Sequence, residues 1–107
     1  MKTVGLIPIK MESKRIPKKN IKEFLGKPMI AYAIEAAQNS SIFNEIMVST
    51  DDHEILKIAR EYGANVPFMR SAKTASDIAT TFDVVDEVIN EYKKQVKFFD
   101  IICCIYP

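Results

Sequence analysis

Thr3-Val4-Gly5-Leu6-Ile7-Pro8-Ile9 leads without a break into Lys10-Met11-Glu12-Ser13-Lys14-Arg15-Ile16-Pro17-Lys18-Lys19-Asn20. The first seven residues are apolar and rich in β-formers. Such a run reads as a strand buried on both faces, as in a parallel sheet. The stretch from Lys10 to Lys27 is polar and basic and is punctuated by Pro17, Asn20 and Gly26. It reads as a long loop, of a length that is uncommon without a function. A buried first strand feeding a cationic loop is how an α/β domain presents a ligand site at the carboxyl end of its sheet.

The rest of the chain extends that pattern. Pro28 suits the first helical position, and Met29 to Gln38 places Ile30, Ala33, Ile34 and Ala37 on one face. Glu45 to Thr50 predicts a second strand. Asp51 and Asp52 then offer a cap to a helix running to about Tyr62, with Ile55, Leu56, Ile58 and Ala59 inward and Gly63 just past its end. Asn65 to Phe68 reads as a short edge strand, because Pro67 cannot donate to a ladder. Met69 to Ile78 reads as a polar loop. Ala79 to about Gln95 predicts a helix with Phe82, Val85, Val88, Ile89 and Tyr92 inward, and Asp77 as its cap. Phe98 to Tyr106 is nearly all apolar and reads as a central fourth strand. Strands alternating with helices imply a parallel sheet with right-handed crossovers, and the expected strand order is 3-2-1-4. The fold class is therefore Rossmann-like α/β, a three-layer parallel sheet. The apolar fourth strand calls for a further neighbour, so residues 1–107 are expected to be part of one truncated domain.

Composition bounds the alternatives. With 48% hydrophobic and 27% charged residues in 107, the chain is ordinary for a folded domain and unlike a disordered one. Net charge is +1, yet residues 1–27 hold eight Lys or Arg against two Glu, while the remainder holds seven against twelve acidic residues. A basic first quarter suits an anionic ligand, and a solvated basic face gives the same count. Cys103 and Cys104 are adjacent and so point to opposite faces of a strand. They read as buried packing residues of a cytoplasmic protein without a disulfide. No apolar run reaches the ~18 residues of a membrane span. Neither membrane nor nucleic acid is an expected partner.

The loop cations fit a phosphate-bearing ligand, with a plain solvated basic loop as the other reading. Lys10, Lys14, Arg15, Lys18 and Lys19 suit the phosphates of a nucleotide, with Lys as a mobile charge and Arg as a two-pronged donor. No glycine lies between Gly5 and Gly26. That excludes the dinucleotide fingerprint G-x-G-x-x-G at this position, and G-K-[ST] is absent too. Phosphate would be held by side-chain charge more than by backbone N–H groups.

Ile7-Pro8-Ile9-Lys10-Met11-Glu12-Ser13-Lys14-Arg15-Ile16-Pro17-Lys18-Lys19-Asn20 resembles the signature of the acylneuraminate cytidylyltransferases, I-P-A-R-G-G-S-K-x-[IL]-P-x-K-N. The likeness continues through Gly26-Lys27-Pro28-Met29-Ile30-Ala31-Tyr32, Val48-Ser49-Thr50-Asp51-Asp52, Tyr62-Gly63-Ala64-Asn65-Val66-Pro67-Phe68 and Arg70. Ile102-Cys103-Cys104-Ile105-Tyr106-Pro107 resembles the subgroup that activates pseudaminic acid. The resemblance implies a nucleotide-diphospho-sugar transferase type of fold. It also implies transfer of CMP from CTP to an acidic nine-carbon sugar, with release of pyrophosphate.

By the same resemblance, Lys10, Lys14 and Lys19 contact the triphosphate, Lys10 and Lys19 taking part in catalysis. Asn20 lies near the sugar and base of the nucleotide, Arg70 contacts the nucleotide, and Ala79 and Thr81 read the cytosine edge. Mg²⁺ is the implied cofactor, with ligands beyond residue 107, and a homodimer is left open as the assembly. Two departures stand out. Met11-Glu12 replaces the paired glycines, setting bulk and an anion near phosphates, and Lys10 replaces Arg, losing the fork. A non-catalytic nucleotide-binding or interaction module is the alternative function. Other residues read as having local roles: Asp51 and Asp52 as caps, His53 at the surface, Tyr32 and Tyr62 in packing. Ser49 and Thr50 either touch ligand or close the turn.

Overall fold

The computed structural model describes residues 1–9, 23–75 and 79–106. Lys10, Lys14, Lys19 and Asn20 lie outside the described residues, as does Asp77. Strand β1 spans Thr3–Ile9, and every residue from Val4 onward is buried. Strands β2 (Glu23–Phe24) and β3 (Lys27–Pro28) form a small antiparallel hairpin inside the stretch read as loop. Leu25 and Gly26 take φ of 53° and 84°, the two positive angles that a two-residue hairpin turn requires. Helix α1 spans Met29–Ser40. Pro28 is its N-cap, one position earlier than expected, because its ψ of 146° is still extended.

Strand β4 spans Glu45–Thr50, and helix α2 spans His53–Glu61. Asp52 caps α2 by accepting from Glu54 N at 2.8 Å. Thr50 Oγ1 accepts from Asp52 N at 3.2 Å, so Thr50 closes the turn. His53 is exposed, as expected. Gly63, at φ 91°, follows α2 in the left-handed region. Helix α3 (Ala72–Ala75) is a single turn within the stretch read as polar loop. Helix α4 spans Thr81–Lys94, and strand β5 spans Ile101–Cys104.

The main sheet is parallel, in the order β4-β1-β5. The expected edge strand at Asn65 to Phe68 is reduced to one parallel bridge, Asn65 to Met47, because Pro67 has no N–H to continue the ladder. With that bridge as its outermost member, the order matches 3-2-1-4. The apolar fourth strand is shorter than expected and lies at the edge of the sheet, with alternating exposure. Cys103 is consequently exposed and Cys104 half-buried, and both are free thiols.

Alternation along β1 splits the core into two layers. Ile7 and Ile9 pack with Ile30, Ile34, Val48, Ile55 and Ala59, under α1 and α2. Val4 and Leu6 pack with Met47, Val84, Val88 and Tyr92, under α4. Each buried Val, Leu, Ile or Met among them contributes roughly 1.5–3 kcal/mol relative to exposure. Gly5 faces Phe43, where a Cβ would stand 3.3 Å from the ring. The inward face of α4 is Val84, Val88 and Tyr92, four residues apart, whereas Phe82 is 76% exposed. The helix phase is fixed by its cap. Thr80 Oγ1 accepts from Asp83 N, and the Asp83 carboxylate accepts from Thr80 N, a reciprocal box that starts the helix at Thr81. Tyr92 anchors the far end, edge-on to Phe68 and Phe99 at 5.5 and 5.1 Å. Its hydroxyl donates to Glu45 at 2.5 Å. Burial, then that carboxylate, push the Tyr92 phenol far above its ordinary range.

Candidate functional site

Ligands of open parallel sheets bind beyond the carboxyl ends of the strands, where the strand order reverses. Here the reversal lies between β1 and β5. A cavity of about 220 Å³ sits there, and its walls come from four elements. Pro8 comes from the end of β1, and Tyr106 from just past β5. Arg70 comes from the segment after β4. Ala79, Thr80, Thr81 and Val84 come from the start of α4. A larger groove of about 490 Å³, lined by Glu45, Arg60, Asn65 and Lys97, lies by the amino end of β4. The smaller cavity is the better candidate because it stands at the strand ends where the sheet can direct backbone and side chains at a ligand.

Arg70 is the cavity's cation and is only 7% exposed. Its backbone N donates to Thr50 O at 2.7 Å, which ties it to the end of β4. Its Nη2 donates to Thr74 O on α3 at 2.6 Å. Its Nε is buried and has no hydrogen-bond partner among the described residues. Burial lowers the guanidinium's pKa, while Asp51, Glu87 and Tyr106 act against that shift. An arginine keeps its charge in any protein, so the cavity holds a desolvated cation with a donor to spare. Such a group favours an anion or a polar ring edge more strongly than a solvated lysine does.

Opposite it, Thr81 Oγ1 and Tyr106 OH are hydrogen-bonded at 2.5 Å, closing the wall between α4 and the end of β5. Ser49 stands in register with Pro8, and its buried Oγ has no partner among the described residues. Of Ser49 and Thr50, it is Thr50 that closes the turn.

Three of the seven residues expected at the site are described, and the structure brings all three together. Arg70, Ala79 and Thr81 line the same cavity. Lys10, Lys14, Lys19 and Asn20 follow β1 in sequence and lie outside the described residues. Sequence reasoning missed Thr80, Val84 and Tyr106 as wall residues. Tyr106 carried one usable signal, its place just past the carboxyl end of an apolar strand.

Metal binding finds no support in these residues. Among the described residues no group of three His, Cys, Asp or Glu could hold an ion. Asp52 is already committed to its cap. No helix of the described residues is long and apolar enough to cross a membrane.

A family model described as cytidylyltransferase matches residues 4–107. The chain is 46% identical over 106 residues to a pseudaminic acid cytidylyltransferase of Campylobacter jejuni, covering 99% of this chain and 46% of that protein. It is 38% identical over 107 residues to a CMP-N,N'-diacetyllegionaminic acid synthase of Legionella pneumophila, covering 100% of this chain and 46% of the relative. In fold it is similar to a CMP:2-keto-3-deoxy-manno-octonic acid synthetase solved in complex with CTP. That likeness has a TM-score of 0.76 at 24% identity, over 99% of this chain and 40% of the other. The chain thus spans about half the length of the curated relatives it matches.

Proposed function

The chain belongs to the cytidylyltransferase family, and on that premise we propose that it is the nucleotide-holding part of a CMP-sugar synthetase. The reaction is transfer of CMP from CTP to a nonulosonic acid, with pseudaminic acid as the first choice of sugar. An anomeric hydroxyl attacks the α-phosphorus and forms a new P–O bond. The bond from that phosphorus to the bridging oxygen breaks, the hydroxyl proton is lost, and pyrophosphate leaves. Residues 1–107 form one nucleotide-binding unit in this reading.

The observation that carries the proposal is the meeting of Arg70, Ala79 and Thr81 in one cavity at the reversal of strand order. Arg70 holds the nucleotide by charge from a desolvated position, while Ala79 and Thr81 meet the base edge. Lys10, Lys14 and Lys19 grip the triphosphate, with Asn20 beside them. Positive charge around the departing pyrophosphate lowers the barrier by stabilising developing negative charge. Lys10 and Lys19 act there as catalytic groups. Mg²⁺ enters this reading only through ligands supplied outside these residues. CTP and an acidic nine-carbon sugar are the partners, the cytoplasm the compartment and a homodimer the assembly.

The test is pyrophosphate release by the intact protein from CTP and pseudaminic acid, with UTP and ATP as controls. Release with CTP alone among the nucleotides is expected. No release with pseudaminic, legionaminic, sialic or 3-deoxy-octulosonic acid would overturn the proposal.

A further inference from the structure

Arg70 is held by a chain of contacts that ends on a residue outside the cavity wall. Its Nη2 donates to the carbonyl of Thr74 at 2.6 Å. Thr74 belongs to α3, a four-residue helix. A single turn has too few internal hydrogen bonds to keep its own position, so its ties to other elements decide where it sits. Those ties converge on Glu87 of α4. Its Oε1 accepts from Thr74 Oγ1 at 2.8 Å and from Ser71 N at 3.3 Å. Its Oε2 accepts from Ser71 Oγ. Ser71 Oγ in turn accepts from Thr74 N at 3.3 Å. One carboxylate therefore fastens both ends of the α3 turn to a fourteen-residue helix that packs on the core.

We propose that Glu87 is a positioning residue for Arg70, acting through Ser71 and Thr74 of the α3 turn. The proposal rests on the reading of Arg70 as a nucleotide contact. Removing the carboxylate leaves the Ser71 N–H without its acceptor, and leaves the two hydroxyls only each other and Ser71 O, at 3.3 Å within the turn itself. The turn then shifts, and the carbonyl that orients the guanidinium shifts with it. The guanidinium of Arg70 loses its fixed orientation, although no residue of the cavity wall has been changed. Charge plays the smaller part, because an arginine remains cationic with or without an anion nearby.

The experiment is a double-mutant cycle read as CTP affinity by calorimetry on the intact protein, with circular dichroism to confirm folding. The corners are wild type, Glu87→Ala, Arg70→Met and the double variant. Each single change is expected to weaken CTP by about ten-fold, the scale of one charge-assisted hydrogen bond. The double variant is expected to bind within about two-fold of Arg70→Met alone, since coupled residues do not add. Glu87→Gln keeps an acceptor for Thr74 and a polar partner for Ser71, and is expected to stay within about three-fold of wild type. If Glu87→Ala does not fold, Ser71→Ala with Thr74→Val replaces it as that corner of the cycle. Additive losses would overturn the positioning role, and so would a Glu87 change that leaves affinity untouched while Arg70→Met lowers it. An Arg70→Met variant with wild-type affinity would instead sink the nucleotide reading of the cavity, and the positioning role with it.

Discussion

At the scale of single residues, the site turns on groups that burial has made unusual. Arg70 is a cation without its full complement of partners among the described residues, and its substitution should be felt in binding. CTP affinity of Arg70→Met is expected to fall by about ten-fold or more, because a charge-assisted hydrogen bond contributes ~1.5–3 kcal/mol. Titration calorimetry reads it directly. Asp83 gives a second prediction. Hydrogen bonds from the backbone and side chain of Thr80 hold its carboxyl below the usual range. A carboxyl depressed in the folded state stabilises the fold above its unfolded pKa of about 3.9, and that contribution is lost as pH falls through the folded value. The start of α4 should therefore loosen only in acid below about pH 4, and Asp83→Asn should remove that dependence from the helical circular dichroism signal. Arg70, Ala79 and Thr81 are expected near one another from the family resemblance, and they share one cavity. Thr81 and Tyr106 pair across 25 positions, a contact that only the crossover into β5 creates, so no local pattern could reveal it.

At the scale of elements, length decides what a sequence discloses. β1 is readable because its apolar run fills the strand, β4 because Ile46, Met47 and Val48 form its centre, and α1 and α2 because their buried faces repeat. The β2–β3 hairpin and α3 have two or four residues per element, too few for any periodicity to register. The phase of α4 is misleading at Phe82 because the helix start depends on the Thr80–Asp83 box. A capping box with Asp in place of Glu is a weaker signal than the apolar residue beside it. Thr80→Ala should lower stability by about 1 kcal/mol in urea unfolding, the usual worth of an N-cap. Gly63 closes α2 at φ 91°, and Gln38 Nε2 lies 2.8 Å from where its Cβ would be. Gly63→Ala should cost about 1–2 kcal/mol by the same measurement, chiefly from the left-handed backbone. A variant as stable as wild type would show that the turn relaxes into another conformation.

At the scale of the molecule, the core is closed on two faces and open along one edge. β5 has β1 on one side only, and Phe98 and Ile101 are exposed beside it. An unpaired apolar edge invites another chain. Residues 1–107 produced alone should self-associate in a concentration-dependent way in sedimentation velocity runs, and a clean monomer at every concentration would contradict this. The strand order has a consequence in time as well as in space. Thr3 pairs with Ile101, and Lys2 with Asp100, across 98 positions of chain. During synthesis at ~5–20 residues per second, the second partner of β1 arrives about 5–20 s after β1 itself. Until then Val4, Leu6, Ile7 and Ile9 have at most one neighbouring strand. β1 is made well before its second partner, and for that interval it is a natural client for a holding chaperone.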